Sequence, residues 1–217
     1  MNSVWDYFRA HQSQILDWLW PTLWLAALPL LIGLALALPI GWVANRYRWT
    51  YPPIVSGAGL MYTIPSIVLF FVLPGILGRG ILDPFNVAVA LTVYTLALLV
   101  RIVADGLSSV PEETMAAATA MGYGPFQRLV RVQLPMAVPV IGAGLRVAAV
   151  SNVSLVSVAS IIGVTQLGLL FVESNTDAKI PPAVVGLILF VALALVFDAL
   201  ILLMIRMLTP WQRVAVR

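Results

Sequence analysis

Two ionisable side chains, Arg146 and Asp198, stand inside long apolar stretches of this sequence. A charge in hydrocarbon is costly, so such residues pair, line a wet cavity or reach for an interface. Arg146 follows Pro135 by about three helical turns, and Asp198 precedes Arg206 by about two, on stretches expected to run in opposite directions. At helical rise the two charges then lie at similar depths, about 16 and 12 Å from the same end. Mutual neutralisation within one polar network is one expectation; separate snorkelling to the interface is the other.

A second polar group shares the stretch that holds Arg146: Ser151, Asn152, Ser154, Ser157 and Ser160. In an apolar environment these side chains either bond across a helix interface or line a translocation path. Pro65, between Tyr62 and Ser66, interrupts another apolar stretch, removes a backbone donor and predicts a bend. Broken helices near a membrane midplane can expose backbone to a substrate, and a plain packing kink is the alternative. Tyr62, Phe70 and Phe71 offer aromatic faces that could attract a quaternary ammonium or simply pack.

Other chemistries find no support. Without cysteine there is no disulfide framework or thiolate metal site, and the single histidine, His11, lies outside the apolar stretches. We therefore expect no metal site and no catalytic residues. No Gly-x4-Gly-Lys-Ser/Thr phosphate loop is present, so ATP hydrolysis by that chemistry would have to come from a partner. No basic run interleaved with aromatics suggests a nucleic-acid partner.

The elements that must position these residues follow from composition. Hydrophobic residues make up 61% of the chain and charged residues 10%, too few polar groups to cover a soluble domain. The expected fold is an all-α integral membrane protein with the lipid bilayer as its solvent. Five stretches are long enough to span it: 19–44, 54–77, 84–103, 136–162 and 182–204. Before them, residues 1–18 place Trp5, Phe8, Ile15 and Leu16 on one helical face, as an interfacial helix would. Asp6, Arg9 and Asp17 in this segment argue against a cleaved signal peptide. Residues 206–217 form a tail.

Charge sets the orientation. Arg46, Arg48, Arg101, Arg128, Arg131, Arg206, Arg213 and Arg217 fall on one side of the spans. The other side has Arg9, Arg79 and Lys179, diluted by Asp6, Asp17, Asp83, Glu173 and Asp177. Positive residues stay in the cytoplasm, so the N-terminus is expected outside and the C-terminus inside a bacterial cytoplasmic membrane.

The longest cytoplasmic stretch, centred on residues 109–135, carries helix signals of its own. Ser109 and Glu112 have capping-box spacing, Pro111 suits an early helical position, and Glu112 and Glu113 favour the positive end of the dipole. The alanine-rich run Ala116, Ala117, Ala118 favours helix, and Gly122 suits a left-handed stop or a close approach. Gly124 and Pro125 then start a second helix that clusters Phe126, Leu129, Val130 and Val132 on one face, with Pro135 as its end. Two short amphipathic helices facing the cytoplasm are what a docking element needs.

At this loop the sequence resembles the permeases of binding-protein-dependent ABC importers, the MetI-like type. Their cytoplasmic motif reads Glu-Ala-Ala, three residues, Gly, nine residues, Ile-x-Leu-Pro. Here Ala116-Ala117-Ala118, Gly122 and Val132-Gln133-Leu134-Pro135 keep both spacings, with Ala116 where the family usually has Glu. Within the family the chain is most similar to the osmoprotectant branch. Leu38-Pro39-Ile40-Gly41, Tyr62-Thr63-Ile64-Pro65-Ser66, Met121-Gly122-Tyr123, Leu145-Arg146 and Phe197-Asp198 carry that likeness over about residues 19–205. It departs at Gly163-Val164-Thr165-Gln166-Leu167-Gly168, where members often have a glycine-rich run, so gating could differ.

The resemblance implies a permease domain that pairs with a second permease copy or paralogue. Two cytoplasmic ATPase subunits, which bind ATP and Mg, would dock on the loop, and a separate extracytoplasmic binding protein would deliver the solute. Glycine betaine, carnitine or choline is the implied cargo, with another small solute such as an amino acid as the alternative. A secondary transporter should show internal repeats, which are absent, and a purely structural membrane protein has no need of the capped loop.

Overall fold

The structure, a computed structural model, describes residues 4–213; residues 1–3 and 214–217, Arg217 among them, lie outside the described residues, as do the side chains of Gln212 and Arg213. Among the described residues the regular structure is entirely helical. A short helix α1 (Val4–Ala10) leads into α2 (Gln12–Arg46), followed by α3 (Tyr51–Thr63), α4 (Ser66–Leu77) and α5 (Pro84–Ser108). The loop contributes α6 (Glu112–Ala120) and α7 (Pro125–Arg128), and then come α8 (Leu134–Val158), α9 (Leu169–Asp177) and α10 (Ile180–Leu208). Four helical stretches are long and apolar enough to cross a membrane, and the bent pair α3–α4 counts as a fifth.

The bundle is organised around α5, which packs against α2, α3, α4 and α8, while α10 packs on α8 and α9. Its α2 contact runs along a stripe of small residues, Gly33, Ala37 and Gly41, facing Thr95, Leu99 and Val103. A Cβ at Gly33 would lie 2.5 Å from Thr95 Cγ2, and one at Gly41 would lie 2.6 Å from Val103 Cγ1. The α8 face repeats the device, with Gly144 against Ile102 and Gly142 against Ile205 of α10. Small residues let helix backbones approach closely, which is how spans associate where lipid is as apolar as leucine. Asn152 of α8 donates to Thr95 Oγ1 at 2.9 Å inside this contact, and both are buried.

Helix ends follow local chemistry. Asp83 caps α5 by accepting from the Phe85 N–H at 2.9 Å, and that bond, with Arg79 beside it, holds the carboxyl below its ordinary value. Tyr7 of α1 donates to Glu173 of α9 at 2.8 Å, and burial with the adjacent carboxylate raises its phenol. The Tyr7–Glu173 contact ties α1 to α9.

Several expectations need correction. Residues 1–18 do not form one interfacial helix: only Val4–Ala10 is separate, and residues 12–18 belong to α2. At 35 residues α2 is about 52 Å long, well beyond a bilayer core of about 30 Å. The expected tail at 206–217 likewise begins within α10, which runs to Leu208. Ser109 does not cap α6; its hydroxyl donates back to Gly106 O at 2.7 Å because Ser109 closes α5 in helical geometry. Pro135 does not end a helix either. The turn Leu129–Gln133 is a π-helix, with Leu134 N–H reaching back to Leu129 O, and the widened turn makes room for the proline ring. Helix then continues without interruption from Pro125 to Ile162.

The small stripe generates a stability prediction. Gly33→Leu or Gly41→Leu is expected to destabilise the bundle by about 1–3 kcal/mol through overpacking, read as a lower thermal midpoint of the full chain in detergent. Gly57→Ala, where a Cβ meets nothing within 4 Å, should leave the midpoint unchanged.

Candidate coupling loop and translocation site

The coupling loop is held by backbone geometry more than by side chains. Helix α6 ends in a Schellman motif: Gly122 N–H donates to Thr119 O at 2.9 Å, and Tyr123 N–H donates to Ala118 O at 3.1 Å. Gly122 has φ 83°, and a Cβ there would meet nothing within 4 Å. Its glycine therefore answers to the left-handed backbone, not to a close approach. Gly124 then opens α7 with its N–H donated to Gln127 Oε1 at 3.1 Å, and Pro125 follows at the first turn. Arg128 ties α7 back to α6 by donating to Thr119 Oγ1 at 2.6 Å.

The apolar residues of this loop divide between two faces. Phe126 (72% exposed), Val130 and Met121 face outward, whereas Leu129 and Leu134 pack on the core formed by α2, α5 and α8. The expected single face of Phe126, Leu129, Val130 and Val132 is thus split, with Phe126 and Val130 exposed and Leu129 packed on the core. Ala118 is buried, while Ala116 and Ala117 are exposed and Pro135 is half-buried. Gln133 Nε2 joins the loop to the bundle through Asn45 Oδ1 at 3.2 Å and Leu107 O at 3.3 Å.

In the second span the chain turns by 99° between α3 and α4. Ile64 is extended, as the residue before a proline prefers, and Pro65 stands at the N-cap of α4 ahead of Ser66. The carbonyl freed at Ile64 accepts from the Tyr94 hydroxyl of α5, and Tyr62 packs edge-on against the Tyr94 ring at 5.8 Å. Tyr62 and Phe71 present exposed faces, but Phe70 is fully buried in the core and cannot meet a solute.

The polar residues of α8 serve different ends. Asn152 is helix-to-helix glue, through Thr95. Ser157 donates to Ser154 O at 2.7 Å and Ser160 to Ser157 O at 2.6 Å, while Ser151 is half-buried and Ser154 exposed. Ser157 and Ser160 line an open cavity of about 480 Å³ together with Phe171, Val172 and Asn175 of α9. The α9 contribution was not foreseen from sequence, since nine residues without a long apolar run give little helical signal. Residues 163–168 form a packed wedge: Gln166 and Leu167 are fully buried, and Leu167 N–H donates to Thr22 Oγ1 at 2.9 Å. Arg146 and Asp198 meet as a fork, Nε to Oδ1 at 2.6 Å and Nη2 to Oδ2 at 2.8 Å, joining α8 to α10. Among the described residues no group of three or more His, Cys, Asp or Glu could hold a metal.

A helical membrane bundle with a capped two-helix loop after its third span is the arrangement expected of an importer permease. Residues 30–210 match the family of the binding-protein-dependent transport system inner membrane component. The chain belongs to this family and is the permease component of an ABC importer. It is 34% identical over 191 residues to the osmoprotectant import permease protein OsmW of Salmonella typhimurium, covering 87% of this chain and 88% of that one. To the glycine betaine/carnitine/choline transport system permease protein OpuCD of Bacillus subtilis it is 26% identical, over 98% of this chain and 92% of that one. An inward-facing MetNI methionine ABC transporter chain superposes with a TM-score of 0.80 at 22% identity, over 92% of this chain and 98% of that one, and shares the fold.

Two predictions follow from the geometry. Gly122→Val forces a β-branched residue into the left-handed region and should impair transport at normal expression; wild-type transport would refute the constraint. Arg146→Asp and Asp198→Arg should each lower expression or transport, and the double swap should restore it.

Proposed function

We propose that this chain carries an osmoprotectant such as glycine betaine, carnitine or choline through the cytoplasmic membrane, inward and at the expense of ATP. The observation that carries the reading is the 34% identity to an osmoprotectant import permease over nearly the whole of both chains. Two exposed aromatic faces, Tyr62 beside the break and Phe71 on α4, agree with a quaternary ammonium cargo.

In this reading the N-terminus is outside and the C-terminus inside. A second permease, identical or paralogous, completes the path, and a separate extracytoplasmic protein delivers the solute. Two cytoplasmic ATPase subunits hold ATP and Mg and dock on the outward apolar residues Met121, Phe126 and Val130. An exposed apolar patch on a solvated loop is the usual mark of a protein contact. Closure of the ATPases then pulls on α7, and the unbroken helix from Pro125 to Ile162 passes that displacement to the cavity lined by Ser157 and Ser160.

Proteoliposomes holding the complete transporter and its binding protein should accumulate labelled glycine betaine, carnitine or choline with ATP inside, and not methionine. Uptake of methionine alone would overturn the assignment. Phe126→Asp with Val130→Asp should abolish co-purification of the ATPase with membrane insertion intact, because neither side chain supports the core. Normal ATPase recovery and uptake in that variant would remove the docking role.

A further inference from the structure

At the cytoplasmic end of α2 a cavity of about 150 Å³ opens between that helix and the coupling loop. Trp42, Asn45, Arg46, Met115, Arg128 and Gln133 line it, and no carboxylate does. Several donors around it are spent within the protein: Arg128 Nη1 on Thr119, and Gln133 Nε2 on Asn45 and Leu107. The Arg128 Nε, however, is buried and has no partner. Neither Arg128 nor Arg46 forms an ion pair among the described residues. Gln133 directs its Nε2 onto Asn45 Oδ1, which leaves the Asn45 amide group as a further donor.

A buried N–H without a partner is unfavourable, and two guanidinium groups without counter-charge repel. Both penalties are relieved by one group: a compact oxyanion with several acceptor oxygens. Arginine matches phosphate in shape and charge better than any other side chain does. The cavity has room for one phosphate group, and a neighbouring cavity of about 440 Å³, which shares Asn45, Met115 and Gln133, carries Arg48 and Glu112. We propose that this cavity binds a phosphate group, the headgroup phosphate of an anionic phospholipid or free phosphate. The position suits a headgroup, since Trp42 and Arg46 mark where α2 leaves the bilayer. Leu36, Ile32 and Leu31 are exposed further along the same helix, where acyl chains would run.

The inference uses the orientation proposed above but not the solute. It is tested without ATP or cargo, so its failure leaves the transport reading intact. The full chain is purified in micelles of equal phosphatidylglycerol and phosphatidylcholine, and retained lipid is read by native mass spectrometry. Phosphatidylglycerol should be retained in preference, and Arg46→Gln with Arg128→Gln should lower its retention about tenfold or more. The single Arg46→Gln, at an exposed position, should show a part of that loss and guards against misfolding of the double variant. Arg131→Gln, which removes an exposed cation of the same segment outside the cavity, should leave retention nearly unchanged. Displacement of the lipid by millimolar inorganic phosphate would assign the site to free phosphate; resistance to it would assign the site to the headgroup. Equal retention of the two lipids with no binding of inorganic phosphate, or an equal loss in Arg131→Gln, would overturn the proposal. So would release of the lipid when the ATPase subunit binds, which would make the cavity a subunit contact.

Discussion

Close approach of α5 to its neighbours is the constraint from which the remaining structure hangs. In a bilayer, burying leucine against leucine gains little over leaving it in lipid, so van der Waals fit and a few hydrogen bonds must supply the association. Gly33, Ala37 and Gly41 provide that fit on one side of α5, and Gly144 on another. The central position of α5 follows: 61% of its apolar window is buried, against 17% for α10. From this axis Tyr94 holds the broken span at Ile64, Thr95 holds Asn152, and Leu107 holds Gln133 of the loop. Break, polar helix and docking loop therefore share one reference.

Around that axis the polar contacts divide into rigid and adaptable. Thr95–Asn152 is buried and reciprocal, and the Arg146–Asp198 fork fixes α8 to α10 at two points. Both lie on the helix that continues the loop after α5, so α7, α8 and α10 are tied into one packed unit. The break at Pro65 is held differently, by one hydroxyl and one ring edge, with Tyr62, Ile64 and Pro65 exposed. A permease that alternates between two openings needs both behaviours: a stiff lever and a lightly held bend.

What the sequence made legible depended on whether a residue's role is local. The spans could be read from length and apolarity, the bend from Pro65, and the positive φ of Gly122 from its place after an alanine run. Depth put Arg146 and Asp198 at similar heights but left pairing and separate snorkelling open, because the rotation of each helix about its axis is not legible in one sequence. Roles set by competition between neighbours were not legible. Ser109 could cap forward or backward, and the end of α5 took it. Pro135 reads as a stop, yet a π-turn four residues earlier absorbed it, and no residue type announces such a turn. Phe70 and Phe71 are adjacent and chemically identical; which one is buried depends on where the neighbouring helices lie.

The departure at Ala116 is best understood through the same division between backbone and side chain. The resemblance places Glu here, and one polar contact to an ATPase would be lost with it. Ala116 is exposed and takes no part in the turn, which rests on the carbonyls of Ala118 and Thr119 and on the backbone of Gly122. One turn along α6, Thr119 accepts from Arg128, so the side-chain hold of α6 on α7 passes through a neutral hydroxyl, and Glu112 and Glu113 at the start of α6 take no part in it. Arg128 forms no ion pair among the described residues, and Arg46 lines the same cavity. Loss of an acidic residue from α6 shifts the loop toward positive charge while its shape is preserved. Its outer face keeps Phe126 and Val130 exposed, and its inner face keeps Arg46 and Arg128 along one cavity.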